Sequence, residues 1–370
     1  MYSHNHYLLS LALTRGLGPV TIKNLIAYCG GIEAVFEASK SKLLKTPGVG
    51  DQTLKLLRSK QELSRAEQEI KYCQRHGIEI LSYLDPDFPQ LLSFIHDAPL
   101  ILFKKGPLNL NAQPALAIVG TRRVSPYGRE LAEIFAQKFA QQDINVVSGL
   151  AYGVDIVSHK AVLKAGGRTT AVLAHGLDTL YPSNHRKKAK EIEETGALLT
   201  EYLTGAKPDA PHFPARNRII SGISRAVVVI EAGEKGGALI TARYAFDQNR
   251  EVFAIPGRVG DEFSKGCNKL IRQDVAKLVD RPEQVLEELD IQWEHHQQHP
   301  QLQLGLQLDT THYSAPELKV LNALADGALH VDKISEMTGI THAGLSQHLL
   351  SLEFKDAIQQ SPGKKFHRKL

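Results

Sequence analysis

Cysteine is scarce in this chain of 370 residues: three, at positions 29, 73 and 267. They lie far apart and form no CxxC pair, which excludes a disulfide framework, gives no support to structural zinc and points to a reducing compartment. No apolar run approaches the ~20 residues that a membrane span requires. The first residues, Met1-Tyr-Ser-His-Asn-His, carry neither a basic n-region nor a cleavage pattern. A cytoplasmic protein with no membrane partner is expected. Signatures of nucleotide cofactors are also missing. The first strand-to-helix turn has no GxGxxG, and GxxxxGK followed by Ser or Thr occurs nowhere, so neither dinucleotide nor P-loop chemistry is supported and no cofactor is expected. Large excess charge is absent too: a net +4 and a pI near 8.7 permit a nucleic-acid partner without establishing one.

What the chain does have is a strand–turn–helix unit at Ala115-Leu-Ala-Ile-Val-Gly-Thr-Arg-Arg-Val-Ser125-Pro-Tyr-Gly-Arg129. Ala115 to Val119 reads as a buried strand ended by Gly120, and Ser125-Pro126 as an N-cap with proline at the first helical position. Leu131, Ile134, Phe135 and Phe139 then recur at helical spacing. Short apolar runs continue to alternate with helical stretches. Strands are expected at Ala115–Val119, Asn145–Ser148, Thr170–Ala174, Ala197–Glu201, Ala226–Glu231 and Glu251–Ile255, with helices near 126–141, 155–165, 184–195, 214–222 and 238–249. Such alternation predicts a doubly wound α/β domain, a Rossmann-like, mostly parallel sheet covered on both faces.

Residues 1 to about 82 read as a helical domain. Its Gly16-Leu-Gly18 and Gly48-Val-Gly50 turns admit two readings: tight helix–helix connections that need positive φ, or helix-hairpin-helix units that approach a phosphate. Turn signals at Asp85-Pro-Asp-Phe-Pro89 and Asp97-Ala-Pro99 place a boundary within 83–113. The α/β domain then extends to 289, a Gln- and His-rich linker covers 290–313, and a small winged-helix domain covers 314–370. Within the linker, His295, His296 and His299 have no acidic or Cys partner close by in sequence, so no metal is assigned to them. In the last domain the third helix offers Ser346, Gln347 and His348, with no Arg or Lys before Lys355. Base readout normally uses such cations, so protein contact or simple stability competes with duplex recognition there.

Ligands of an open α/β sheet sit outside the carboxyl ends of its strands. Those loops carry Arg122 and Arg123, then Tyr152, then His175, Tyr181 and His185, then Phe213-Pro-Ala-Arg-Asn-Arg218, then Lys235, and finally Arg258 and Lys265. Cations, aromatics and glycines together suit phosphate clamping with base stacking, the requirement of a single-stranded nucleic-acid groove. Arg216 and Arg218 flank Asn217 at a helix start, where positive charge opposes the helix dipole, and an anionic partner accounts for that placement. Asp155 reads as a helix N-cap, Glu231 as pinning loop amides or serving as an acid–base group, and His159 and His175 as satisfied interior histidines.

Several ordered motifs carry a resemblance. They are Gly120-Thr-Arg122 with Ser125-x-Tyr-Gly128, Ser148-Gly-Leu-Ala-x-Gly-Val-Asp155, and Ala174-His-Gly-Leu-Asp178 with Tyr181-Pro182. Phe213-Pro-Ala-Arg-Asn-Arg-Ile-Ile220, Leu239-Ile-Thr-Ala242, Arg250-Glu-Val-Phe-Ala-Ile-Pro-Gly257, and Gly266-x-Asn268 with Leu270-Ile271 follow in order. Together they resemble the DprA/Smf family of DNA-processing proteins. Two local departures stand out: Gly236-Gly-Ala238 where the family tends to have Ser-Gly-Ser, and Gln273-Asp-Val275 in place of a usual Gly-Ala. The resemblance implies a non-enzymatic protein of natural transformation that protects incoming single-stranded DNA and loads the RecA recombinase onto it, including past single-strand-binding protein. It also implies a homodimer formed through the central domain. Carried over by motif, Arg122, Phe213, Arg216, Asn217 and Arg218 are the expected DNA contacts, while Arg123, Lys235 and Lys265 join them on local charge.

Two other classes remain. One is a nucleoside-monophosphate phosphoribohydrolase, whose Pro-Gly-Gly-x-Gly-Thr-x-x-Glu motif would place Leu239-Ile240 at Gly-Thr and Arg243 at the catalytic Glu. The other is a duplex-DNA transcription regulator acting through residues 314–370.

Overall fold

The computed structural model describes residues 3–14, 16–57, 61–291, 313–324, 329–355, 357–361 and 365–368. They fall into two compact units, 1–293 and 294–370. The linker histidines His295, His296 and His299 lie outside the described residues.

The first unit opens with helices α1 (His4–Leu13), α2 (Pro19–Cys29), α3 (Ile32–Glu37), α4 (Lys40–Leu43), α5 (Asp51–Leu57) and α6 (Gln61–His76). Gly16 and Gly48 each adopt a φ of 85° on the way into α2 and α5, the left-handed turn that glycine takes without a steric cost. Among the described residues nine strands then form one sheet: β1 (Glu79–Ser82), β2 (Ile101–Lys105), β3 (Ala115–Val119), β4 (Asn145–Ser148), β5 (Thr169–Val172), β6 (Ala197–Thr200), β7 (Ala226–Val229), β8 (Glu251–Ala254) and β9 (Lys277–Leu278). Interleaved are α7 (Gln90–Ser93), α8 (Pro126–Gln141), α9 (Val154–Lys164), α10 (Arg186–Thr195), α11 (His212–Gly222), α12 (Gly237–Asp247), α13 (Lys265–Arg272) and α14 (Pro282–Glu288).

The strand order is β1-β2-β6-β5-β4-β3-β7-β8-β9. From β6 to β9 every pair is parallel, whereas β2 runs antiparallel to both β1 and β6. The register is set by the central run, with Leu116 opposite Val146 on one side and Ala226 on the other. Because successive strands build outward from β3 in one direction to β6 and then return to β7 on its other flank, the winding reverses at β3/β7. That reversal opens a crevice at the carboxyl ends of the two strands.

Both faces of the sheet are covered, as continuous Val/Ile/Ala strands require. On one face α11 and α12 contribute Ile219, Ile220 and Ala242. On the other α8, α9 and α14 contribute Phe135, Phe139, Val157 and Leu286. Phe135 and Phe139 meet edge to face with ring centroids 6.0 Å apart, and truncating either to Ala would cost ~3–5 kcal/mol.

The six expected parallel strands are present with ends shifted by a residue or two. The stretch 83–113, read from the sequence as a boundary, contains α7 and the strand β2, which joins the sheet between β1 and β6. β2 escaped the apolar pattern because it ends in Lys104 and Lys105. Lys104 is buried nonetheless, its Nζ donating to the Leu108 carbonyl at 3.1 Å and pairing with Glu79 at 2.9 Å. Leu100, Ile101 and Phe103 also pack into the core of the N-terminal helices. Glu69 of α6 adds a polar tie, accepting from Thr204 N at 2.9 Å and Thr204 Oγ1 at 2.6 Å.

The second unit contains α15 (Ala315–Ala323), β10 (Leu329–His330), α16 (Val331–Thr338), α17 (His342–Phe354), β11 (Ile358–Ser361) and β12 (Lys365–Arg368). Val320, Leu321, Ile334, Leu345 and Leu349 form its core, and β10, β12 and β11 form a small antiparallel sheet. Three helices with a β wing are the expected winged-helix arrangement. Among the described residues no helix is long and apolar enough to cross a membrane.

Candidate nucleic-acid interface

Three loops meet where the winding reverses, and side chains clip them together. The first leaves β3 and turns into α8 through its cap, Ser125, whose Oγ accepts from Gly128 N at 3.0 Å. Glu231, just past β7, accepts from Ser125 N at 3.0 Å and from Ser125 Oγ at 2.5 Å. Its backbone carbonyl also takes the Thr121 N–H at 2.7 Å. Glu231 therefore pins loop amides. A Cβ at Gly128 would run into that carboxylate, so a larger residue there would have to displace Glu231.

The third loop follows β4. Gly153 takes a φ of 77° and caps α9, and Val154 N then donates to Thr121 O at 3.1 Å. Asp155, expected as the N-cap, sits in the first turn instead. Its Oδ2 reaches back to Gly149 N at 3.1 Å and Ala151 N at 3.3 Å, which locks the loop. Burial raises the Asp155 carboxyl, against the pull of the nearby Arg216 charge.

The floor and sides enclose a cavity of about 610 Å³, within the ~300–1,000 Å³ range of ligand pockets. Gly120, Thr121, Ala232 and Gly233 line it from the strand ends. From α11 come Phe213, Arg216, Asn217 and Ile220, a spacing that keeps one helical face turned inward. Arg122 stands at the rim with its guanidinium carbon 5.3 Å from the centroid of the Phe213 ring. The half-exposed Tyr181 meets the same ring edge-on at 5.9 Å. Aromatic surface and cation thus share one mouth.

The expected contacts separate into distinct environments. Arg216 is only 4% exposed, and its Nη1 donates to the Gly149 carbonyl at 2.7 Å and to the Val172 carbonyl. Burial lowers it to about 10, Asp155 opposes that fall, and the charge of Arg122 adds to it. Arg216, expected as a DNA contact, lines the cavity as a buried cation that fastens α11 to the ends of β4 and β5. A Cβ at Gly149 would overlap this guanidinium, so a larger residue there would have to displace Arg216. Arg218 does not line the cavity. It falls on the neighbouring flank of α11, where Nη2 donates to Glu201 Oε2 at 2.6 Å and Nε pairs with Asp97 at 3.1 Å. Expected as a DNA contact, Arg218 in this structure ties α11 to Glu201 and Asp97.

Arg123 is exposed and lies over Phe263, 5.7 Å from the ring centroid. Lys235 is exposed beside a shallower groove of about 340 Å³ with Ile240 and Tyr244, and Lys265 is the exposed first residue of α13. Among the described residues, Arg122, Arg123, Lys235 and Lys265 have no carboxylate within 4.0 Å. Sequence reasoning missed Phe263, which carries no charge or spacing signal of its own.

The histidines serve the scaffold. His175 donates from Nδ1 to Gly176 O at 3.0 Å and accepts at Nε2 from Tyr181 N at 3.2 Å. His185 reaches Leu150 O at 2.8 Å. His159 is fully buried and bonds Thr169 Oγ1 at 2.7 Å; its Nε2 has no partner among the described residues, contrary to the expectation of a satisfied ring. Burial drops it to about 3, which keeps it neutral. Among the described residues no cluster of three His, Cys, Asp or Glu suits a metal ion. Arg243, at the position of the phosphoribohydrolase Glu, is exposed on α12 and pairs with Asp247 at 3.6 Å.

A family model described as DNA recombination-mediator protein A matches residues 79–290, and one described as the DprA winged helix domain matches 307–364. Protein Smf of Synechocystis is 31% identical over 396 aligned positions, covering 99% of each chain. The crystal structure of DNA processing protein A from Streptococcus pneumoniae superposes with a TM-score of 0.69 at 34% identity, covering 78% of this chain and 99% of that one. A structure of the Helicobacter pylori protein, described for its single-stranded DNA binding mode, gives a TM-score of 0.53 at 29% identity, covering 57% and 95%.

Proposed function

This chain belongs to the DprA/Smf family of DNA-processing proteins, and from that membership we propose that it binds single-stranded DNA in the β3/β7 crevice, shields it, and hands it to RecA during natural transformation. The observation that carries the reading is the Arg122–Phe213 pair at the mouth of the cavity. It combines a cation with no carboxylate partner among the described residues with an aromatic face, the two contacts a single strand needs. Support also comes from the H. pylori relative, whose structure is described for single-stranded DNA binding.

In this proposal Arg122 holds phosphate, Phe213 stacks a base, and Asn217 hydrogen-bonds the strand from the cavity side. Arg216 contributes positive field and loop rigidity, and Arg218 supports α11 through Glu201 and Asp97. Lys235, Lys265 and Arg123 enlarge the positive rim. The protein performs no bond-breaking step: its output is transfer of the strand to another protein in the cytoplasm, as a homodimer that offers two crevices. Fluorescence anisotropy with full-length protein tests the premise by comparing one oligonucleotide in single- and double-stranded form. Preference for the single strand, reduced in Arg122→Ala, is expected. Equal affinity for both forms, unaffected by that substitution, overturns the reading.

A further inference from the structure

The crevice has two aromatic flanks. Phe213 and its arginine stand on the α11 side. On the β8 side stands Phe263, whose carbonyl accepts from Ala232 N at 2.7 Å and whose loop therefore borders the crevice wall at Ala232-Gly233. Arg123 lies over its ring at 5.7 Å, and Arg123 N donates to Thr121 Oγ1 at 3.1 Å, which fixes the loop that carries both arginines. Consecutive residues of one turn thus reach two aromatic rings, Phe213 in the cavity lining and Phe263 on the loop bonded to its Ala232 wall.

Resting on the single-strand reading above, we infer that Arg123 and Phe263 form a second base-stacking platform, so that a bound strand spans the crevice from Phe213 to Phe263. A guanidinium over an aromatic ring presents planar, polarisable surface on which any base can stack. The formal charges of the Phe263 loop cancel, with Arg258 and Lys265 against Asp261 and Glu262. Attraction on this flank therefore comes from stacking and from Arg123 rather than from a general positive field. The strand has no reason to stop at the cavity, and its affinity should rise in a step once it is long enough to reach the second platform.

The test is a ladder of oligothymidylates spanning the ~4–16 nucleotides that single-strand sites cover, titrated against full-length wild type, Phe213→Ala, Phe263→Ala, Phe263→Leu and Phe263→Tyr. Thermal melting accompanies each titration. Phe263→Leu preserves apolar packing where Phe263→Ala loosens the loop. The expected result is that Phe213→Ala weakens binding at every length, while Phe263→Leu matches wild type on short oligomers and binds long ones about tenfold less tightly. Phe263→Tyr keeps the long-oligomer affinity, and the salt slope of Phe263→Leu equals that of wild type. A Phe263→Leu protein that follows the wild-type length profile overturns the second platform while leaving single-strand binding intact. Wild type that binds no oligothymidylate overturns the underlying reading as well.

Discussion

The guanidinium of Arg122 lies 5.3 Å from the ring centroid of Phe213, across the mouth of a cavity bounded by strands on one side and α11 on the other. One contributes charge and the other planar apolar surface, so their removal has different signatures. Arg122→Ala is expected to weaken single-strand binding by ~1–3 kcal/mol and to reduce the slope of log affinity against log salt by roughly one counterion. Phe213→Ala is expected to weaken it by ~1–3 kcal/mol with the slope nearly unchanged, because stacking releases no counterion. Titration at several salt concentrations reads both, and equal slope changes in the two variants would count against the assigned roles.

Arg216 calls for a different experiment. Arg216→Ala removes the buried donor to the Gly149 and Val172 carbonyls and the nearby positive charge that favours the Asp155 carboxylate. Leaving a buried acceptor without its partner costs ~1–3 kcal/mol each. The variant should therefore shift the urea midpoint strongly, while the DNA bound by its folded fraction retains the wild-type salt slope. A variant of unaltered stability that has lost one counterion from its slope would instead make Arg216 a direct phosphate contact.

Much of this arrangement was legible in the residues. Runs such as Ala226-Val-Val-Val-Ile and the Ser125-Pro126 cap depend on local chemistry, and they located the strands and α8 closely. Side-chain direction was less accessible. Phe213-Pro-Ala-Arg-Asn-Arg218 reads as one basic cluster, yet its helix turns Phe213 and Asn217 into the cavity and Arg218 toward Glu201 and Asp97. Those carboxylates come from other parts of the chain, so nothing in the motif announces them. The same holds for Phe263, which gains meaning only when its loop is set beside Ala232.

In the C-terminal unit Glu317 predicts an acid sensitivity. Burial raises this carboxyl, but hydrogen bonds from Lys355, Ser351 and Ser314 outweigh that and bring it down to about 2. A carboxylate with a depressed folded pKa contributes stability that is present above its unfolded value, near 4.3. That contribution is lost as pH falls from there toward about 2. Hydrogen exchange of the full-length protein, read on peptides from 313–324 and 344–353, should show protection falling through this window. Glu317→Gln should show lower protection at neutral pH and a smaller further loss on acidification. Parallel pH profiles for the two proteins would remove Glu317 as the source.

The last prediction concerns what the protein does with a strand once it is held. A crevice that clamps phosphate and stacks bases contributes binding, and binding alone leaves the strand where it is. Transfer requires that part of the DNA remain available while another part is restrained. Two crevices in a homodimer meet that requirement, because separated segments of one strand are held while the DNA between them is open to a recombinase. The protein should therefore accelerate RecA assembly on strands already coated by single-strand-binding protein, with no nucleotide hydrolysis of its own. A monomeric variant should keep part of its single-strand affinity and lose most of the acceleration, since a single crevice holds one segment only. RecA-dependent ATP hydrolysis on coated strands, with and without this protein, is the measurement. Absence of acceleration at saturating protein would falsify the loading role. Release of a free base from a nucleoside monophosphate would instead revive the phosphoribohydrolase alternative, despite Arg243 at the position of its catalytic acid.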